Sequence, residues 1–197
     1  MSSLILASTS RYRRELLTRL GIAFECASPA IIEVQHGGEL PLENCRRLAL
    51  EKANDVARRN PNSVVIGSDQ VLDLDGEALS KPGDHATAFA QLKRCQGRKL
   101  ICYTALAVVA PGQAPKIDVV PTTIAYRSLP DAELEAYLAR EKPYDAAGSV
   151  KVETSGIALL SSITSDDPTA IIGLPLIRLV DFLRELRELR ELRVLGA

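Results

Sequence analysis

Short apolar runs alternate along the chain with longer segments whose apolar residues recur every three or four positions. Strands exchanging with amphipathic helices produce this pattern. Leu4 to Ala7, bounded by serines, predicts a buried strand. Ser10 is placed to cap a helix carrying Leu16, Leu17 and Leu20 that stops at Gly21. Phe24 to Ala27 suggests a second strand, and Ile31 to Leu40 reads as a loop. Pro41 suits the first turn of a helix running to about Arg59, with Cys45, Leu48, Ala49, Ala53 and Val56 at helical spacing. The β-branched run Val64-Val65-Ile66 predicts a strand that ends in Gly67-Ser68-Asp69-Gln70 and delivers polar groups at its carboxyl edge.

Asp75-Gly76 is a hairpin turn signal. Asp84 is the expected cap of a helix that ends near Gly97. Lys99 to Val109 and Lys116 to Arg127 read as two longer strands joined around Pro111-Gly112. A helix from Pro130, a strand over Ile157 to Ile163 and a last helix from Pro175 complete the order. The expected class is α/β, a mixed twisted sheet flanked by helices. Residues 1–197 are expected to form one domain, with 187–197 as a helical tail. Between Arg184 and Leu192 Arg-Glu-Leu repeats every three residues, so the leucines hold no single helical seam.

Composition narrows the function classes. Hydrophobic residues are 46% but aromatics only 4% and Trp is absent, so the core must be aliphatic. A formal net charge of −1 gives no bulk field to collect nucleic acid or an anionic membrane, so anion binding has to come from local clusters. The near-neutral charge and the lack of stacking aromatics argue against a nucleic-acid binder despite Arg46-Arg47 and Arg58-Arg59. Cys26, Cys45, Cys95 and Cys102 form no CxxC pair, which argues against structural zinc or a redox dithiol and for reduced thiols. No apolar run approaches the ~20 residues of a membrane span. The first run is too short for a signal segment, and its basic residues follow it. A cytoplasmic location is expected.

Three clusters carry candidate chemistry. Ser8-Thr9-Ser10 with Arg13 and Arg14 lies in the turn from the first strand into the first helix, where free N–H groups and hydroxyls favour an anion and arginines can clamp phosphate. On this segment alone a capping serine followed by surface arginines explains the residues equally well. Asp69 at a strand end and Glu33 in a loop are carboxylates that, if they converge, can hold Mg²⁺ with phosphates supplying its other ligands. Lys52 on the apolar helix and Lys81 after the hairpin are further candidate phosphate ligands, neither persuasive alone.

Taken in order, these segments resemble the Maf family of nucleotide pyrophosphatases. The resemblance rests on Leu4-Ile5-Leu6-Ala7-Ser8-Thr9-Ser10 with Arg13-Arg14-Glu15-Leu16-Leu17, on Glu33, on Glu51-Lys52-Ala53 and on Gly67-Ser68-Asp69-Gln70. Lys81-Pro82, Ala147-Gly148-Ser149 and Gly173-Leu174-Pro175-Leu176 continue it. It implies two lobes around a nucleotide cleft, often as a homodimer, and hydrolysis of a nucleoside triphosphate between its α and β phosphates with Mg²⁺ or Mn²⁺. It implies Asp69 as proton acceptor; the expected mechanism then puts Ser8, Ser10, Arg13, Arg14, Lys52 and Lys81 on the phosphates and Glu33 and Asp69 on the metal. Tyr12, Gln70 and Glu153 resemble the subgroup acting on 7-methyl-GTP, not the dTTP/UTP subgroup. A nucleotide-binding regulator of cell division without turnover is the alternative outside enzymes. Three positions depart from the pattern: Arg11 stands where the family generally has Pro, Ile32 where it has Asp, and Ser80 where it has Gly.

Overall fold

The computed structural model describes residues 3–186. The expected tail helix from 187 onward lies outside the described residues. Seven strands form one sheet in the order β2-β1-β3-β5-β6-β7, with β4 paired to β3 beside that path. The strands are β1 (Leu4–Ala7), β2 (Glu25–Ala27), β3 (Val64–Leu74), β4 (Glu77–Leu79), β5 (Lys99–Val109), β6 (Lys116–Tyr126) and β7 (Leu160–Ser165). The pairs β1–β2 and β1–β3 are parallel, and the remaining pairs are antiparallel. The sheet is therefore mixed, as expected from the alternation of elements.

The helices are α1 (Arg11–Thr18), α2 (Pro41–Arg59), α3 (His85–Cys95), α4 (Asp131–Glu141) and α5 (Leu176–Glu185). Their starts follow the sequence signals: Ser10 and Asp84 accept backbone N–H groups at the caps of α1 and α3, and Pro41 opens α2. Ser155–Leu159 is a 3₁₀ turn, so β7 begins at Leu160 and not at Ile157 as expected.

The larger correction concerns β3. It does not end at the polar Gly67-Ser68-Asp69-Gln70 but runs eleven residues to Leu74, paired with β5 from Val65 to Asp73. Asp69 is thus a mid-strand residue. Polar residues usually mark a strand's end because their groups need water or a partner. In β3 each polar side chain has found a partner inside the protein.

Period-2 alternation divides β3 between two faces. Val64, Ile66, Leu72 and Leu74 point to one face, where two cores lie end to end. Ile66, Leu106 and Val108 pack with Leu16 and Leu17 of α1 and Leu179, Phe182 and Leu183 of α5. Leu72, Leu100 and Ile124 pack with Leu92 of α3 and Leu138 of α4. On the opposite face Val65 and Val71 pack with Cys45, Ala49, Ala53 and Val56 of α2. Between the two end-to-end cores the strands present Ser68, Gln70 and Thr104. That polar stripe is capped by the backbone of the 170–173 segment.

Candidate active site

Pairing leaves a gap beside the middle of β3. On its β1 side, pairs run to Ile66, and pairs with β4 begin at Leu72. Between these points the edge of β3 meets side chains instead of a strand.

Helix α2 is drawn close to this stretch by Gly67. A Cβ at that position would sit 2.3 Å from the Ala49 carbonyl oxygen and 2.8 Å from the Ala53 Cβ, so only glycine allows the approach. One turn along, the buried Lys52 Nζ donates to Asp69 Oδ1 at 2.6 Å. The same ammonium lies 2.8 Å from Glu33 Oε1. The Lys52 and Asp69 side chains are 6% and 7% exposed and Glu33 51%, so the pair opens to solvent on the Glu33 side.

Glu33 arrives on a loop that α2 grips at both ends. Asp55 accepts from the Ala30 N–H at 2.8 Å, and Arg59 donates to the Ser28 carbonyl at 2.8 Å. On the far side Arg47 donates to the Val34 carbonyl at 2.9 Å and to both oxygens of Glu39 at 2.7 Å. The Arg47 guanidinium holds the Glu39 carboxyl at about 2, far below its ordinary 4.5. Ile32, next to Glu33, is 84% exposed and contributes no charge.

Arg13 completes the centre from α1. Its Nε donates to the Gly173 carbonyl at 2.9 Å, the oxygen that the Ser68 hydroxyl also reaches at 2.8 Å. Burial pushes the Arg13 pKa down, against the opposing pull of Asp69. The two carboxylates are driven apart. Burial raises Asp69 and outweighs the attraction of Lys52 and Arg13. For Glu33, burial raises the pKa, but Lys52, Lys81 and Arg13 together hold it below its ordinary value. Cys45, whose Sγ lies 3.3 Å from the Asp69 carbonyl, is a buried neutral thiol with its pKa pushed up by burial and then by Asp69.

The predicted site residues fall into three groups. Asp69, Lys52, Glu33 and Arg13 converge, and Lys81 acts on Glu33 from the exposed loop after β4. Ser8, buried two positions beyond the last β1–β3 pair, accepts from the Ser10 N–H at 3.1 Å, and Ser10 caps α1 through the Arg13 N–H. Arg14 is exposed. Tyr12 carries the Arg11 guanidinium over its ring at 4.6 Å, with Arg11 donating to the Tyr12 hydroxyl at 2.9 Å. The Arg11 pKa is raised by Tyr12 first, and less by Glu15 and Glu153.

Gln70 is not brought to the cluster. It points to the opposite face from Asp69, and its Nε2 donates to the carbonyls of Ala170 and Ile171 at 3.1 and 3.0 Å. Reasoning from the sequence missed Ser68 and the Gly173 carbonyl as supports of Arg13. The Gly173-Leu174-Pro175-Leu176 motif was the available signal. It also missed the Asp145–Lys151 pair at 2.7 Å, where Asp145 is held low by Lys151 first and also by Lys81.

Among the described residues no group of three or more His, Cys, Asp or Glu side chains converges into a metal cage. Glu33 and Asp69 supply only two carboxylates, a donor set that suits Mg²⁺ or Mn²⁺ where phosphate oxygens complete its ligands, not a metal held by protein alone. No helix among the described residues is long and apolar enough to cross a membrane.

The family model described as Maf-like protein matches residues 3–186, and the chain belongs to that family. Curated relatives bearing the name 7-methyl-GTP pyrophosphatase include the following three. That of Albidiferax ferrireducens is 54% identical over 176 residues, 89% of this chain and 88% of the relative. That of Cupriavidus pinatubonensis is 51% identical over 184 residues, 92% of each chain. That of Bordetella pertussis is 52% identical over 180 residues, 91% of this chain and 90% of the relative.

Proposed function

We propose that the chain is a nucleoside triphosphate pyrophosphatase that converts 7-methyl-GTP to 7-methyl-GMP and pyrophosphate. The observation that carries this reading is the Lys52 ammonium shared by Asp69 and Glu33 beside Arg13. Such alternating charges suit a polyphosphate and its divalent ion. The names of relatives about half identical over nine-tenths of the chain support the same activity and the methylated base.

Arg13, Lys52 and Lys81 bind the phosphates and offset the negative charge that grows on the departing pyrophosphate. Glu33 and Asp69 would hold Mg²⁺ or Mn²⁺, which supplies Lewis-acid polarisation of the α-phosphate when bound. Water attacks the α-phosphorus, and the bond from that phosphorus to the bridging oxygen breaks. Pyrophosphate leaves with the electron pair, and the Asp69 carboxylate takes the proton from water. Methylation at N7 gives guanine a positive charge. The Tyr12 ring already accepts a guanidinium on its face, so it offers a cationic base an attraction of about 0.5–2 kcal/mol. Glu153 is the candidate acceptor for the N1 and N2 edge.

Pyrophosphate release from 7-methyl-GTP, GTP, dTTP and UTP tests the reading. Tyr12→Ala and Glu153→Ala should each lower kcat/KM for 7-methyl-GTP roughly ten- to hundredfold more than for GTP. A parent enzyme that prefers dTTP would move the chain to the other subgroup. No pyrophosphate from any triphosphate with metal present would remove the enzymatic reading.

A further inference from the structure

The Lys52 ammonium occupies the space between the two carboxylates that the metal needs. It is 2.6 Å from Asp69 Oδ1 and 2.8 Å from Glu33 Oε1, whereas Mg²⁺ draws its oxygens to about 2.0–2.1 Å. Oxygens arranged around an ammonium are too widely spread for the smaller ion, so both cations cannot share that pair at once. The side chain is buried and rides on α2, so its presence is built into the helix packing at Gly67.

Charge points the same way. Arg13, Lys52 and Lys81 face Glu33 and Asp69, which leaves one positive charge in excess. The neighbouring Asp145–Lys151 pair adds none, and the buried Cys45 is neutral. A free dication would enter a centre that is already cationic. A triphosphate reverses that balance and gives the ammonium a second anion to pair with.

We infer that Lys52 is the resident counter-ion of Glu33 and Asp69, that it keeps free divalent metal out, and that metal and nucleotide load together once phosphate draws the ammonium away. This deepens the triphosphate reading above and rests on it. Manganese titrated into nucleotide-free protein, followed by calorimetry and by the Mn²⁺ paramagnetic resonance signal, tests the counter-ion role without any turnover. Lys52→Met should bind Mn²⁺ roughly tenfold or more tightly than the parent. Lys52→Arg keeps the charge and should bind it as weakly as the parent. Lys52→Gln serves as a second neutral variant should the apolar one fail to fold, with thermal melting as the check.

Neutral variants that bind Mn²⁺ no better than the parent would overturn the counter-ion role, whatever the nucleotide does. Tight Mn²⁺ binding by the nucleotide-free parent would overturn it too. Binding of the α,β-methylene analogue of 7-methyl-GTP to the parent in the presence of Mn²⁺ checks the underlying reading separately. It should be at least about tenfold tighter than without metal. Failure of the analogue to bind at all would remove the joint loading together with the triphosphate reading.

Discussion

The two faces of β3 put neighbouring polar residues to opposite uses. Asp69 faces α2 and is held by a lysine that it shares with a second, solvent-facing carboxylate, with an arginine at a distance. Ser68 and Gln70, one position to either side, face the 170–173 segment and hydrogen-bond to carbonyl oxygens. The first arrangement leaves charge that a ligand can exchange for its own. The second is closed, because its bonds run to carbonyls fixed within the fold, which Arg13 and Thr104 also use. Position along the strand therefore says less about function than whether a side chain's partners can leave.

Breaking the comparison at its strongest point means Asp69→Asn. This keeps the shape but removes the basic, metal-binding carboxylate. Pyrophosphate release should fall by several orders of magnitude with the far-UV spectrum unchanged. Turnover near that of the parent in a folded variant would take the chemistry away from this face.

Gly67→Ala strikes the same face through packing. Its methyl group would meet the Ala49 carbonyl at 2.3 Å and push α2 outward, taking Lys52 with it. Urea unfolding should show a loss of about 3 kcal/mol, at the upper end for overpacking. An unchanged midpoint would mean that α2 yields without strain.

Gln70→Leu sharpens the contrast from the closed side. The Ala170 and Ile171 carbonyls lose a donor, and stability should drop by about 1–2 kcal/mol. The ratio of kcat/KM for 7-methyl-GTP and GTP should stay as it was. A collapsed ratio at unchanged stability would instead place the Gln70 amide on the base, as the sequence suggests.

The smallest effect is one of pH, at the loop that delivers Glu33. The Glu39 carboxyl is held down to about 2 by Arg47, so its contribution is fully present above its ordinary 4.5. Because the folded value is the lower one, that contribution is lost as pH falls towards about 2. Protection of the 34–39 amides, relative to their intrinsic exchange rate, should fall over that window, and Glu39→Gln should flatten the response. Equal protection throughout would show that the other loop anchors suffice.

The element order was legible because the signals were local: a serine or aspartate cap, a proline in the first turn, a β-branched run. The second half of β3 was not. Its polar middle reads as an ending unless one knows that Lys52 and the 170–171 carbonyls lie opposite. Asp69, Lys52, Glu33 and Arg13 could be singled out from residue type and motif, and the structure brings them together. The sequence could not show that Gln70 turns away from Asp69, because that follows from strand continuity. Nor could it show Lys52 bridging two carboxylates, which follows from the close approach of α2 at Gly67.

The carbonyl of Gly173 stands 160 positions along the chain from the guanidinium it receives. During synthesis the N-terminal strands and α2 leave the ribosome long before that oxygen exists. A nascent chain can therefore assemble the lysine–carboxylate pair well before Arg13 has its rest. Closing so long a loop is entropically slow compared with local helix and hairpin formation. Catalytic competence would then appear as a late, separate step in refolding, after the recovery of secondary structure.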